Sequence, residues 1–257
     1  MIRSPIAIGA FRKLVKELQA SERDVRPLVV GGAAELARAL ERELARGGEA
    51  GAVRVGPPKG GSVYVHLVTG DDESALRAAR KARVPIVAVA PRVEPLPYVL
   101  ATDIVVVGPG EALPVDRIAT AVAAKLGENG APLAARLPAL RRAVCRRIVE
   151  AAARKNGLAA AAIFVPGADL PVLTLNQVRM LLRLDQAYGL DLDPRERLPE
   201  IVATIGAGFG LRAVAGELLD VVPVAGWAVK GGVAYAGTRT LGQAAIKRLE
   251  TIHGANH

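Results

Sequence analysis

Two consecutive glycines, Gly31 and Gly32, separate a short apolar run from a helix-forming segment in the sequence LVVGGAAELARALERE. A glycine turn that leads into a helix presents backbone N–H groups at the positive end of the helix dipole, where anions bind. The nucleotide-binding form of this turn, G-x-x-x-x-G-K-[ST], adds a lysine for phosphate and a hydroxyl for Mg²⁺. This chain has neither, and Glu35 would repel a phosphate. Gly31 and Gly32 are therefore weak candidates for anion contact, with a tight strand-to-helix connection as the alternative.

A second candidate for chemistry follows a later apolar run, in the sequence PIVAVAPRVEP, which contains Arg92 and Glu94. In a GTPase the motif N-K-x-D follows such a strand, and its asparagine and aspartate recognise the guanine edge. Here Pro91 replaces the asparagine and supplies neither a side-chain amide nor a backbone N–H. The dinucleotide motif G-x-G-x-x-G is also missing. Arg92 remains a weak anion candidate, and we expect no nucleotide hydrolysis, no catalytic residue and no cofactor.

Metal sites and nucleophilic catalysis are not indicated elsewhere. The single cysteine, Cys145, cannot form an internal disulfide or a cysteine metal cluster. His66 alternates with Tyr64 in a predicted strand, which is typical of a core residue. Asn176 and Gln177 lie in an otherwise apolar helical pattern, where they would form a buried polar contact or part of a binding groove. No metal site is therefore predicted.

The composition restricts the class of protein and its partners. The 257 residues suffice for one large domain or two small ones, and 51% of them are apolar while only 3% are aromatic. The net charge of +9 favours an anionic partner, unless it reflects a general preference for arginine. Nucleic acid is disfavoured because interleaved aromatic residues and known binding motifs are missing. No apolar secretory segment follows Met1, so a cytoplasmic location is expected.

Continuous apolar runs alternate with helical patterns between residues 25 and 128, which predicts a small, mostly parallel sheet with helices on both faces. An amphipathic helix is expected within residues 1–24. The predicted strands of the sheet are 28–30, 53–55, 63–68, 86–90 and 104–107. The predicted helices that cover it are 33–46, 71–83 (beginning at an acidic cap) and 114–126. The fold class of this half is a three-layer α/β domain.

The strand pattern stops after ENGAP, residues 128–132, which have the composition of a linker. Residues 129–257 are rich in glycine and alanine and are predicted to form an all-helical domain. Its predicted helices are 137–155, 173–188, 198–219 and 224–249. The chain as a whole is therefore predicted to be α/β plus all-α.

Two stretches of the helical half resemble the YcjF-like family, also described as domain of unknown function 697, which is attached to some Era-type bacterial GTPases. They are VPGADLPVLTLNQVRMLLRLDQAYGL (165–190) and GFGLRAVAGELLDVVPVAGWAVKGGVAYAGTRTLGQAA (208–245). The shared features are a proline-bearing entry, T-x-N-Q, M-L and Y-G, then a glycine-rich helix, P-x-x-G and T-x-x-x-G. The resemblance implies association with GTPases and membranes, and no catalytic residues. Residues 25–128 then resemble, through strand order and position, a GTPase domain whose nucleotide motifs are lost.

Two groups of residues are predicted to contact a membrane or a partner. Arginines cluster over two turns of the helix 137–155, as they do beside anionic headgroups, with a solvated face as the alternative. They are Arg141, Arg142, Arg146 and Arg147. Small residues at four-residue spacing allow close helix contacts with a partner or a second copy. They include Gly206, Gly210 and Gly232. Charges such as Lys230 disfavour a simple span, because each costs about 2.5–3.5 kcal/mol at mid-bilayer.

These patterns and the resemblance together predict a non-catalytic pseudo-GTPase scaffold or adaptor. It would act at the inner membrane face or through a protein partner, from a cytoplasmic location with peripheral or re-entrant membrane association. Two alternatives stay open. One is a regulatory protein that retains nucleotide or anion binding through Gly31, Gly32 and Arg92. The other is an integral membrane protein with a helical hairpin broken at Pro223.

Overall fold

The computed structural model describes residues 13–14, 16–21, 23–108, 110–162, 170–190 and 226–254. The chain divides into two compact units. The α/β unit is Glu22–Arg147, and the helical unit combines Met1–Ser21 with Ile148–His257. The division after residue 147 lies further along the chain than the predicted boundary after residue 128, and the N-terminal segment belongs to the helical unit.

Five parallel strands form the sheet of the α/β unit, in the order β2-β1-β3-β4-β5. This is the flavodoxin-like order of doubly wound sheets, with the topological switch point between β1 and β3. The strands are β1 (Leu28–Gly32), β2 (Val53–Val55), β3 (Val63–Leu67), β4 (Ile86–Ala90) and β5 (Ile104–Val106). The prediction of a mostly parallel sheet is confirmed. Strand β1, however, continues to Gly32, so both glycines belong to the strand instead of to a turn.

Helices cover both faces of the sheet. Helices α1 (Ala34–Ala45) and α3 (Val115–Leu126) contact each other on one face, each through an apolar stripe of helical period. Helix α2 (Glu73–Lys81) packs on the other face through Leu76 and Ala79. The predicted three-layer arrangement of the α/β half is thus present.

The connection from β2 to β3 crosses the sheet without a helix. Residues 56–62 pass over β1, and Gly61 lies so close to it that a Cβ at this position would be 2.5 Å from Cγ2 of Val29. Ser62 donates two hydrogen bonds to the carbonyl oxygen of Pro27, from its N–H at 2.8 Å and its hydroxyl at 3.0 Å. A glycine and a short polar side chain therefore hold the loop against the sheet face that α2 leaves open.

The predicted linker at residues 128–132 is helical and belongs to the α/β unit. A 3₁₀ turn at Gly127–Gly130 leads into helix α4 (Ala131–Arg136). Arg136 donates from Nη1 to the carbonyl oxygen of Val25 at 2.8 Å and from Nε to Glu49 at 3.1 Å, while its own carbonyl accepts from the Glu49 N–H. Glycine and asparagine suggested a flexible connection, but this bonding fixes the segment to the unit.

Among the residues that the structure describes, the helical unit contains three long helices and a short N-terminal segment. The long helices are α5 (Pro138–Ala162), which begins in the α/β unit, α6 (Leu170–Ala187) and α7 (Gly226–Gly254). Residues 16–21 are helical, and Gln186 of α6 donates to the Leu18 carbonyl oxygen at 3.1 Å. The predicted helix 198–219 lies outside the described residues.

Replacement of Gly61 by alanine is expected to destabilise the α/β unit by about 1–3 kcal/mol, because the added methyl group overpacks against Val29. Urea unfolding of the full chain measures this loss. In a Val29→Ala background the same replacement should cost much less, since the clashing methyl groups are gone. Equal losses in the two backgrounds would show that the contact with Val29 is not the cause.

Candidate functional site

The carboxyl edge of the sheet at the β1–β3 switch point is where open α/β sheets bind their ligands. Gly31 and Gly32 lie at this edge and pair in register with His66 and Leu67 of β3. A Cβ on Gly32 would be 1.8 Å from the Leu67 carbonyl oxygen, so only glycine allows the strands to approach here. The next amide, that of Ala33, donates to the same oxygen at 3.1 Å. This amide at the entry to α1 is therefore bonded to β3 and does not face a ligand.

A buried chain of hydrogen bonds lies beside the two glycines. His66 is 2% exposed, and its Nε2 lies 2.7 Å from Oδ1 of Asp72, while its Nδ1 lies 3.1 Å from the Tyr64 hydroxyl. The Tyr64 hydroxyl in turn covers Gly31, where a Cβ would be only 2.2 Å away. With both ring nitrogens bonded, His66 is the satisfied core residue that the strand pattern predicted.

Asp72 organises the turn from β3 into α2. Its carboxylate accepts hydrogen bonds from the N–H and hydroxyl of Thr69, both at 2.8 Å, and from the N–H of Gly70 at 2.9 Å, besides the one from His66. Burial raises the pKa of this carboxyl group, but the bonds from Thr69, Gly70 and His66 outweigh burial and lower the pKa to about 2. An acidic helix cap was predicted here, yet Asp72 makes no capping bond to α2. Its oxygens turn back toward the loop and His66 because more donors converge there.

The buried carboxylate also affects Tyr64. Burial raises the pKa of the Tyr64 phenol, and the nearby charge of Asp72 raises it further. The phenol therefore stays protonated and can donate to His66. In this arrangement Tyr64 donates to Nδ1, and Nε2–H of His66 donates to Asp72. The polar groups of this edge satisfy one another and offer no free donor from these three side chains.

Arg92 follows β4 at the same edge of the sheet, but its environment is different. Its side chain is 77% exposed and forms an ion pair with Glu94. Because β3 lies between β1 and β4, the chain segments at Gly31 and Arg92 are separated by two strand spacings, about 10 Å. The three weak anion candidates thus share an edge without forming one cluster of donors.

A second polar cluster joins the three long helices of the helical unit. The Asn156 amide of α5, which is fully buried, donates to Thr238 Oγ1 of α7 at 2.9 Å and to the Leu173 carbonyl oxygen of α6 at 3.3 Å. Asn176 donates to Asn156 Oδ1 at 2.9 Å, and Gln177 to Thr238 Oγ1 at 3.3 Å. The buried polar contact predicted for Asn176 and Gln177 is therefore present, and it explains T-x-N-Q and the threonine of T-x-x-x-G in structural terms.

Glycines also bring α5 and α7 together, but the predicted glycine, Gly232, is not among them. A Cβ on Gly231 would be 2.9 Å from the Gly157 carbonyl oxygen, and a Cβ on Gly242 would be 2.5 Å from Val149. Gly232 is exposed, and a Cβ there meets nothing within 4 Å. The stripe expected through Gly232 faces away from α5 because the contact runs through the adjacent residue. Gly206 and Gly210 lie outside the described residues.

The four arginines of α5 do not form one solvated face. Arg142 and Arg146 are exposed one turn apart, whereas Arg141 and Arg147 are half-buried. Arg141 donates to the Ala135 carbonyl oxygen at 3.5 Å. In the part of the chain that the structure describes, the Nε of Arg147 is buried without a hydrogen-bond partner. An anionic surface would therefore meet only Arg142 and Arg146 directly.

Within the described ranges, no helix is long and apolar enough to cross a membrane, and no group of His, Cys, Asp or Glu side chains could hold a metal ion. The chain matches no protein-family model, and no curated protein or solved structure resembles it significantly. The resemblance of the helical half to the YcjF-like family remains a prediction.

Sequence reasoning did not find the role of Asp72 or the contacts of Gly157, Gly231 and Gly242. The run T-G-D-D after β3 carries a signal for the first, because aspartate there can accept from loop amides. No comparable signal distinguishes Gly231 from its neighbour Gly232, since a one-residue shift changes which helix face is buried.

Stability should fall in acid because the pKa of Asp72 is lower in the folded chain, about 2, than its ordinary 3.8. A depressed pKa stabilises the fold above the ordinary value, and we expect about 2 kcal/mol to be lost as the pH falls from about 4 to about 2. Asp72→Asn should remove a similar amount at neutral pH and flatten this acid dependence. The exposed neighbour Asp71 supplies the control, since Asp71→Asn should change neither the stability at neutral pH nor its acid dependence. Urea unfolding of the two variants at several pH values tests this prediction.

Thr238→Val keeps the shape of the side chain but removes the oxygen that accepts from Asn156 and Gln177. The two buried amides lose a partner, so we expect the helical unit to lose about 1–3 kcal/mol of stability. Thr240→Val is the matched control in the same helix, because Thr240 is exposed and should tolerate the change. Thermal unfolding compares the two variants, and equal effects would contradict the role of the polar cluster.

Proposed function

We propose that this chain is a non-catalytic scaffold or adaptor that acts through a protein partner. One observation carries the proposal: the polar groups at the ligand-binding edge of the sheet are bonded to one another. Asp72 accepts four hydrogen bonds, both nitrogens of His66 are bonded, and the Ala33 amide is bonded to β3. An enzyme needs donors and charges that face a substrate, whereas these stabilise the fold.

The pseudo-GTPase part of the hypothesis rests on the predicted order and position of the strands and on the resemblance of the helical half. The order β2-β1-β3-β4-β5 is the flavodoxin-like one, so the adaptor function does not require descent from a GTPase. We therefore base the proposal on the occupied edge of the sheet. Contact with an anionic membrane surface through Arg142 and Arg146 is compatible with this function.

Nucleotide binding tests the proposal directly. The purified full chain should carry no nucleotide, and GTP or ATP with Mg²⁺ should give neither heat in titration calorimetry nor a shift in melting temperature. A ligand that binds only the folded chain raises its melting temperature, and the rise grows with the logarithm of ligand concentration relative to Kd, so an increase of several degrees would refute the non-catalytic function. If that increase disappears in Arg92→Ala, the anion site at Arg92 replaces our proposal.

A further inference from the structure

The connection between β4 and β5, residues 91–103, covers the sheet face beside α2 with loop and a single 3₁₀ turn. Leu96 and Val99 turn inward and pack against the core cluster under α2. Other large apolar side chains of the same connection turn outward. They are Val93, Tyr98 and Leu100, which are 58%, 51% and 68% exposed. The connection thus has an anchored side and an apolar side that faces solvent.

The backbone of Tyr98 supports a role outside the core. Its φ of +64° lies in the left-handed region, which is costly for an aromatic residue. Such strain at an exposed residue is often found where a side chain is held for contact with a ligand. Tyr98 also lies near Arg77 of α2, since Glu73 and, after it, the Tyr98 hydroxyl raise the pKa of that guanidinium.

Helix α2 brings unmatched positive charge to the same place. Glu73, Arg77, Arg80 and Lys81 recur at helical spacing on the flank that reaches Tyr98. Glu73 pairs with Arg77, and both are exposed. Arg80, Lys81 and the following Arg83 are exposed as well, and none of them pairs with a carboxylate among the residues that the structure describes. Three cations without a carboxylate partner in the described part of the chain therefore lie at, or just after, the carboxyl end of the helix that flanks this connection.

We propose that this surface binds an acidic protein segment that carries apolar or aromatic side chains. We call it the Tyr98 patch and define it as Tyr98, Leu100, Arg80, Lys81 and Arg83. The inference rests on the proposed adaptor function and gives the chemistry of its partner. Carboxylates of the partner pair with the three cations, while its apolar side chains cover the outward residues. Tyrosine and arginine are the residue types that contribute most binding energy in such interfaces.

A protein segment fits this surface better than a lipid bilayer. Each of the outward apolar side chains is partly covered by the chain itself, with exposed fractions of 51–68%, so none of them projects fully from the surface. Glu73 and Glu94 are exposed within the same region, each held by an arginine. Fixed carboxylates accept hydrogen bonds from the backbone N–H groups of a protein segment, which a phospholipid lacks.

A display library of random peptides, selected on the immobilised full chain, tests the inference even though the partner is unidentified. Enriched peptides should combine Asp or Glu with Tyr, Phe, Trp or Leu. Their affinity, measured by fluorescence polarisation, should fall at least about tenfold in Arg80→Glu/Lys81→Glu and in Tyr98→Gly. Tyr98→Gly relieves the left-handed backbone, so its melting temperature should not fall, and a loss of binding cannot come from unfolding.

Matched control variants lie in helices α5 and α7. Arg239→Glu/Lys247→Glu makes the same change in net charge at exposed positions of α7, and Leu158→Ser removes an apolar side chain of α5 that is 72% exposed. Both controls should keep the peptide affinity within about twofold. Patch variants that bind the selected peptides as tightly as the parent chain, or a selection without acidic enrichment, would overturn the inference.

Two further outcomes assign the patch to another occupant and also overturn it. One is binding to phosphatidylglycerol vesicles that the patch variants lose. The other is self-association of the full chain that Tyr98→Gly abolishes in light scattering. Failure of the patch is distinguishable from failure of the adaptor function. If the chain binds nucleotide and still binds the peptides, the non-catalytic function alone is rejected. If it binds neither nucleotide nor the peptides, the patch alone is rejected.

Discussion

All five strands run in one direction, so each connection must return the chain from the carboxyl edge of the sheet to its amino edge. Right-handed crossovers place β1-to-β2 on one face and the three later connections on the other. Only one of those three connections contains an α-helix, which is α2. The loops at 56–62 and 91–103 must therefore cover a sheet face that helices cover in most doubly wound proteins. Close glycine packing at Gly61 and the outward Tyr98 are both results of this constraint.

Buried polar groups impose a second constraint on the fold, since each needs a hydrogen-bond partner once water is excluded. In the α/β unit Asp72 collects donors from His66 of β3 and from the loop that follows this strand. In the helical unit Asn156 and Thr238 join three helices through amide and hydroxyl bonds. In the sequence, their neighbours Asn176 and Gln177 look like candidates for a binding groove because they are polar residues in apolar surroundings. Their partners show that they specify how the elements pack.

Strand positions in the α/β unit could be predicted because a continuous apolar run such as IVAVA is typical of a parallel strand that is buried on both faces. The role of residues 128–132 could not be predicted, because glycine and asparagine are as common in a linker as in a 3₁₀ turn. The hydrogen bonds of Arg136 also join it to Val25 and Glu49, which are far from it in sequence. At the candidate site, the pattern identified His66 as a core residue. The donors that converge on Asp72 come from a turn whose geometry depends on where β3 ends, which composition does not specify.

The α/β unit is inserted between two parts of the helical unit, and this order matters while the chain is being synthesised. Residues 22–147 leave the ribosome as an uninterrupted stretch, and domains generally fold as units at that stage. The N-terminal segment instead needs Gln186, which is 168 positions after Leu18. At about 5–20 residues per second, it waits on the order of ten to thirty seconds for that partner. The molecule is thus assembled from its middle, and its first helical turns are among the last to be buried.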